Sequence, residues 1–335
     1  IAPPFIAPEK FSLPKPDIRH LPNGSRVIAL KAGVQPILAL DIVFRAGNIF
    51  ESFPGQSFFT CKMLTEGTIG LSSQEIAVKL DYYGAFVNLN PGFDYASLTA
   101  YMPSRHFGKI MQIINQVIFE PVFPADELSL MKQIQQQQLR VSEQKNNFLA
   151  SRHFRQKLFA EMPYGHQLSH EAIERTERAD LQRFYEAYMY GKFDIFITGQ
   201  FDDVLLDEFV SGCEHRFSVL HDFPKIPKPK ATTFHDTIEK DESLQSAICM
   251  GQHSILRTHP DYPALLLLNE IFGGYFGSRL MQNLREDKGF TYGIHSRLMS
   301  MKKAGYLFVS AEVKKDTRDL AIEEIRREME LLKTE

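Results

Sequence analysis

The segment Leu80-Asp81-Tyr82-Tyr83-Gly84-Ala85-Phe86 has an echo in Leu284-Arg285-Glu286-Asp287-Lys288-Gly289-Phe290, displaced by 204 to 205 positions. The elements after each copy are shared too. Tyr95 to Met102 and then Phe107 to Phe119 in one half answer Tyr306 to Val313 and then Asp316 to Leu332 in the other, each a hairpin strand succeeded by an amphipathic helix. A repeat this long is a duplicated domain, not a solenoid. The fold class is therefore α+β: two homologous α/β-sandwich repeats, each an antiparallel-rich sheet with helices packed on it. By the same displacement Glu335 falls on about residue 130. The second repeat is thus expected to be truncated and the natural chain to continue.

Local signals fill in the first repeat. A turn at His20-Leu21-Pro22-Asn23-Gly24-Ser25 precedes two β-rich apolar runs, Arg26 to Leu30 and Ile37 to Phe44, read as a strand pair. A helix is expected from Gly55 to Leu64. A second opens with the capping box Ser72-Ser73-Gln74-Glu75 and closes at Gly84. Phe86 to Asn90 and Asp94 to Met102 alternate as a hairpin. After Pro121 and Pro124 one long helix is predicted to reach about Ala160; its glutamine run, Gln135 to Gln138, suits a helix. Two shorter helices and a strand at Asp194 to Thr198 come next. The domains are read as 15–215 for the first repeat and 233–335 for the second. The connector 216–232, where Pro224, Pro227 and Pro229 interleave with Lys225, Lys228 and Lys230, is expected to be extended and exposed.

Composition excludes more than it selects. Hydrophobic residues at 44% and charged residues at 24% suit a chain with a packed core. A formal charge of -3 without a Lys/Arg block gives no case for nucleic acid or an anionic membrane surface. The longest aliphatic run, Ala264 to Leu268, is far too short for a transmembrane segment. Cys61, Cys213 and Cys249 have neither paired nor metal-type spacing. A chain that opens at Ile1 is expected to have lost its true N-terminus, and with it any export signal.

Three patterns together resemble the insulinase/pitrilysin zinc peptidases. Phe44-Arg45-Ala46-Gly47, Gly55 and Met63-Leu64-Thr65-Glu66-Gly67-Thr68 look like that family's first active-site region. Met162-Pro163-Tyr164-Gly165, Asp180-Leu181 to Tyr188 and Gly199 are similar to its later first-domain pattern. Gly273-Gly274, Ser278-Arg279-Leu280, Leu284-Arg285-Glu286, Lys288-Gly289 and Tyr292 resemble its second-domain signature.

The family's chemistry rests on His-x-x-Glu-His on a helix, two zinc ligands and a general base. Counted back from Gly67-Thr68, these positions fall on Phe58, Cys61 and Lys62, and the third ligand near Gln138. Phenylalanine cannot ligate zinc, a lysine ammonium repels it, and an amide is a poor ligand. The chain is therefore expected to bind no metal and no cofactor, with zinc held by a partner subunit. His166 and His170, at helix-type metal spacing, fall in a predicted loop and read as surface histidines; Cys61 reads as a small buried residue, not a nucleophile.

Arg285 and Tyr292, seven positions apart, match an arginine and tyrosine that the family sets opposite the zinc. The resemblance implies that they bind the substrate backbone and the developing oxyanion, whereas the residues alone leave open that Arg285 pairs with Glu286 or Asp287 and that Tyr292 packs in a strand. It also implies a peptide-pairing strand at Phe86, Val87 and Asn88, although Pro91 and Gly92 depart from the usual pattern. The expected function is the non-catalytic, substrate-binding subunit of a heteromeric zinc endopeptidase, partnered by a family member with His-x-x-Glu-His and acting on peptides or unfolded polypeptides. The compartment expected is the periplasm or another exported location, with the cytoplasm as alternative. The rival reading is a structural or binding homologue without proteolytic role, like family members built into respiratory complexes. The substrate-recognising subunit of the mitochondrial processing peptidase fits less well, because its long glycine-rich loop is represented only by Gly273-Gly274-Tyr275-Phe276-Gly277.

Overall fold

A computed structural model describes residues 12–160, 162–213, 216, 218, 221–230, 233–240 and 243–334. Ile1, Glu335, the side chain of Cys213 and parts of the expected connector lie outside the described residues. The strands of the first repeat are β1 (Asp17–His20), β2 (Arg26–Lys31), β3 (Ile37–Phe44), β4 (Phe86–Pro91), β5 (Ala96–Pro103) and β6 (Phe193–Gly199). Its helices are α1 (Gln56–Lys62), α2 (Ser73–Tyr82), α3 (Phe107–Phe119), α4 (Ala125–Glu143), α5 (Asn146–Phe159), α6 (His170–Arg175), α7 (Arg178–Tyr188) and α8 (Asp203–Cys213). The second repeat holds β7 (Gln245–Ser254), α9 (Tyr262–Asn269), β8 (Thr291–Ser300), β9 (Gly305–Lys314) and α10 (Arg318–Leu331).

The first sheet runs β1-β2-β6-β3-β5-β4, the second β7-β9-β8. The second sheet thus reproduces the β3-β5-β4 part of the first, strand for strand. Each hairpin's outer strand is entered through a glycine with left-handed backbone, Gly84 (φ 67) before β4 and Gly289 (φ 61) before β8. Only glycine adopts that conformation without steric cost, so the Gly-Phe echo marks a helix-to-strand turn used twice. Each hairpin also ends in a short 3-10 turn, Ser104–His106 or Lys315–Thr317, that leads into the amphipathic helix α3 or α10. Alternation does the sorting within strands: Leu38, Leu40, Ile42 and Phe44 of β3 are all buried on one face.

The structure corrects three expectations. First, Arg26 to Leu30 and Ile37 to Phe44 are strands but not a pair. The distant β6 lies between them, parallel to β2 and antiparallel to β3; the real partner of β2, across the turn at 20–25, is β1. Second, the helix predicted to run unbroken to Ala160 is two. It breaks at Lys145, whose backbone is extended (ψ 126), and Asn146 Nδ2 then donates to Gln245 O (2.8 Å) and Ser243 Oγ (2.6 Å). The chain turns there so that α5 packs against β7 of the second repeat while α4 stays with α6 of the first. Third, the connector is not simply exposed. Residues 221–230 carry no regular structure, yet Phe223 packs on Phe50 and Tyr95, and His221 on Phe50 and Tyr188.

The repeats are joined by a buried polar clasp. Asp94, at the turn between β4 and β5, accepts a hydrogen bond from the Tyr164 hydroxyl (2.6 Å) and one from the backbone N–H of Lys302 (2.8 Å), in the turn between β8 and β9. Met301, Ala304 and Tyr306 of the second repeat enter the first repeat's core around this clasp. The second repeat keeps a smaller core of its own, with Phe272, Leu280, Leu284, Ile294, Val309 and Ile325 among its members. We expect Tyr164→Phe, which leaves one oxygen of a buried carboxyl group unanswered, to lower stability to urea by about 1–3 kcal/mol; a loss under roughly 0.5 kcal/mol would show that the clasp is incidental.

Candidate functional site

Of the four degenerate positions, the structure groups three, Phe58, Cys61 and Lys62, on α1. This helix starts at Gly55, whose left-handed backbone (φ 97) brings it against Leu168: a Cβ there would lie 2.5 Å from Leu168 Cδ1. With no side-chain cap at Gly55, the helix takes its capping carboxyl from Glu51, whose Oε1 accepts from the Ser57 N–H (2.8 Å). Burial pushes the Glu51 carboxyl up to about 8, against the opposing pull of hydrogen bonds from the backbone of Ser57, Gly55 and Phe58.

None of the three supplies what a metal needs. Phe58 stacks edge-on against Phe59, ring centroids 5.3 Å apart. Cys61 is fully buried and burial pushes its thiol up to about 12, so it offers no thiolate as ligand or nucleophile. Lys62 points its ammonium at the edge strand and donates to the carbonyl of Leu89 in β4. Gln138, the expected fourth member, is exposed on α4. Among the described residues no group of three His, Cys, Asp or Glu side chains is arranged to hold a metal ion. A zinc ion does not fit this donor set of an aromatic ring, an un-ionised thiol and a committed cation.

His166 and His170 stand apart from this centre. His166 is exposed. His170 lies at the surface but on the first turn of α6, not in the loop expected, and is bonded to Gln136 and to Glu143 (2.9 Å).

The strand beside α1 is the sheet's edge. Phe86 and Asn88 of β4 are exposed and Val87 packs partly on the core. The turn at 92–94 is clamped to the backbone of 47–49 by Gly47 N–H to Asp94 O (3.3 Å), Asn48 N–H to Gly92 O (3.0 Å) and Ile49 N–H to Phe93 O (3.0 Å). A Cβ on Gly47 would sit 2.4 Å from Phe93 O, which accounts for the glycine in Phe44-Arg45-Ala46-Gly47.

Arg285 and Tyr292 lie in the second repeat, and no hydrogen bond, ion pair or ring contact among the described residues joins them to the α1 positions. Arg285 stands in a π-helical turn, Met281–Asp287, which ends where the Lys288 N–H reaches back to Asn283 O (3.1 Å). Such wide turns cluster at functional sites. Arg285 does pair with Glu286, Nε to Oε1 at 3.6 Å and partly exposed, while no described residue hydrogen-bonds the guanidinium. One face of it lies over the ring of Phe276, 4.5 Å from the centroid. Tyr292 does not pack in its strand: it is 92% exposed, in a bulge of β8 between Thr291 and Ile294. The buried Thr291 hydroxyl fixes that bulge, donating to Glu312 O (2.6 Å) and accepting from the Gly293 N–H (3.1 Å). Sequence reading missed Phe276, Thr291 and Glu51. An aromatic residue between Tyr275 and Gly277, next to the signature, was the available signal for the first.

Comparison with known proteins agrees with this geometry. Residues 26–173 match the profile of the insulinase family of peptidases, M16, and residues 176–335 match that of the peptidase M16 inactive domain. The chain belongs to the M16 peptidase family. A Bacillus subtilis relative described as an uncharacterized zinc protease is 24% identical over 299 residues, 86% of this chain and 71% of the relative. A Helicobacter pylori relative described as a non-peptidase homolog is 21% identical, over 86% of this chain and 68% of its own. The crystal structure of a peptidase M16 inactive domain from Pseudomonas fluorescens superposes with a TM-score of 0.84 at 24% identity, covering 94% of this chain and 78% of that one. The fold is thus the two-repeat M16 fold, and this member lacks His-x-x-Glu-His.

The Glu51 cap predicts a pH dependence. A carboxyl at about 8 when folded and near 4.5 when unfolded is protonated only in the folded chain between those values. Its contribution is complete below about pH 4.5 and is lost as pH rises through 8, at up to about 1.4 kcal/mol per unit. In Glu51→Gln that slope should flatten in thermal denaturation at stepped pH; a slope equal to wild type would contradict it.

Proposed function

We propose that this M16 homologue is the substrate-binding, transition-state-assisting subunit of a two-chain zinc endopeptidase, and that the metal belongs to a partner of the same family with His-x-x-Glu-His. The observation that carries this is an asymmetry within one chain. The α1 positions have lost every metal-binding group, while the second repeat keeps an arginine with open donors and a tyrosine with an open hydroxyl. An arginine whose hydrogen-bond donors are unfilled, beside only a surface ion pair, and a tyrosine left 92% exposed add little to the fold itself. Their use lies outside the chain.

The chemistry suits acyl transfer at a peptide bond. A guanidinium presents several N–H donors in a fixed plane and a phenol presents one O–H. Aimed at a scissile carbonyl in a chamber closed by the partner, they stabilise the negative charge that develops on its oxygen and hold the flanking backbone. The zinc would supply the activated water from the other side. The open edge of β4 offers extended peptide a strand to pair with, and Lys62, bonded to the Leu89 carbonyl, holds that edge against α1. Peptides and unfolded polypeptides are the substrate class such an edge accepts.

Arg285→Ala in the full-length chain, assayed with the partner on a quenched fluorescent peptide, should lower turnover about 10²–10³-fold while gel filtration still finds the two chains associated. Unchanged turnover would remove Arg285 from the role.

A further inference from the structure

Phe276 is 67% exposed. A phenylalanine so placed adds little to a core, so its value must lie in what its ring touches. The ring lies under the Arg285 guanidinium, whose carbon is 4.5 Å from the ring centroid. That is within the range where a cation is held by the electron-rich face of an aromatic ring. The geometry points to Phe276 as the positioning residue for Arg285. The inference rests on the reading of Arg285 given above and adds the means by which its side chain is oriented.

Three observations support it. First, the guanidinium's other partner is Glu286, in a surface ion pair at 3.6 Å, and no described residue hydrogen-bonds it. An arginine in so loose a pair still samples many rotamers, and ordering it on binding costs free energy. Stacking on a ring removes part of that freedom beforehand and, unlike an ion pair, leaves the in-plane N–H donors unoccupied. Second, a turn places the ring. Phe276 sits in the short segment between the π-helical turn Glu270–Gly274 and the helical turn that carries Arg285. On that segment the Ser278 N–H donates to Tyr275 O (3.1 Å), closing a turn around the phenylalanine. Third, Tyr292, the other half of the pair, is fixed by a different device, the Thr291 hydroxyl pinning the β8 bulge. Each donor thus has its own local support, and neither depends on the other's.

The test compares Phe276→Ala, Phe276→Leu and Phe276→Tyr with Arg285→Ala, each in the full chain mixed with its His-x-x-Glu-His partner and given a quenched fluorescent peptide. Phe276 is exposed, so the variants should fold, which circular dichroism checks. A group that orients a transition-state donor changes kcat and leaves KM nearly unchanged. Phe276→Ala and Phe276→Leu should each lower kcat about two- to fivefold, and Phe276→Tyr, which keeps the ring face, should stay close to wild type. Leucine as good as phenylalanine would overturn the inference, because it fills the space without the ring. If Arg285→Ala lowers kcat and Phe276→Ala does not, the inference fails and the role of Arg285 stands. If Arg285→Ala changes nothing, both fail. A second readout needs no partner. The Arg285 Nε–H proton should move downfield in the NMR spectrum of Phe276→Ala as the ring current is lost, and an unmoved resonance would show that the stack does not form in solution.

Discussion

The whole arrangement depends on a carboxyl group that one repeat alone leaves half answered. Asp94 is buried, and its two oxygens take hydrogen bonds from Tyr164 in the first repeat and from the Lys302 backbone in the second. An unanswered buried polar group costs a large fraction of a protein's net stability. The β8–β9 turn is therefore held where it can reach Asp94, and Met301, Ala304 and Tyr306 accompany it into the first core. Burial also drives the Tyr164 hydroxyl far above the usual phenol range, so it remains a donor at any pH the fold survives. This contact, together with the packing of α5 on β7, sets how the second repeat, and so Arg285 and Tyr292, sits against the first.

Duplication gave the two repeats one plan and two fates. In the first, α1 is sealed: Gln56 donates to Asp180 O (3.0 Å) on α7, and Phe59, Thr60 and Cys61 are fully buried. In the second, α9 leaves Leu266 and Leu267 exposed, and Arg285 and Tyr292 stand on the turn and strand beyond it. Helix α1 serves as packing, and the Lys62 ammonium ties it to an edge strand through the Leu89 carbonyl.

Much of this was legible in the sequence where the signals are local. The capping box at Ser72 and Glu75 is present as read, and the Gly-Phe echo is a left-handed turn in both repeats. Element type comes from alternation and period, which neighbours within a few residues decide. What could not be read was long-range. No local pattern announces that Phe193–Gly199 inserts between β2 and β3, since parallel pairing across a long connection leaves no mark near either strand. The break at Lys145 has no glycine or proline to signal it, because contacts to Ser243 and Gln245 make it. At the candidate site, Phe58, Cys61, Lys62 and Gln138 were already legible as four positions without a histidine or a carboxylate. The support around Arg285 was invisible, because a ring nine positions earlier meets the guanidinium only once the intervening segment has folded back.

The central claim is that catalytic groups have been divided between chains. It is tested most directly by hydrolysis of a quenched fluorescent peptide by this chain alone, by its His-x-x-Glu-His partner alone, and by the two mixed. The account predicts turnover in the mixture, abolished by a chelator and restored by zinc, and none from this chain alone. Chelator-sensitive turnover by this chain without a partner would contradict it, since the residues on α1 cannot hold the metal that such activity requires.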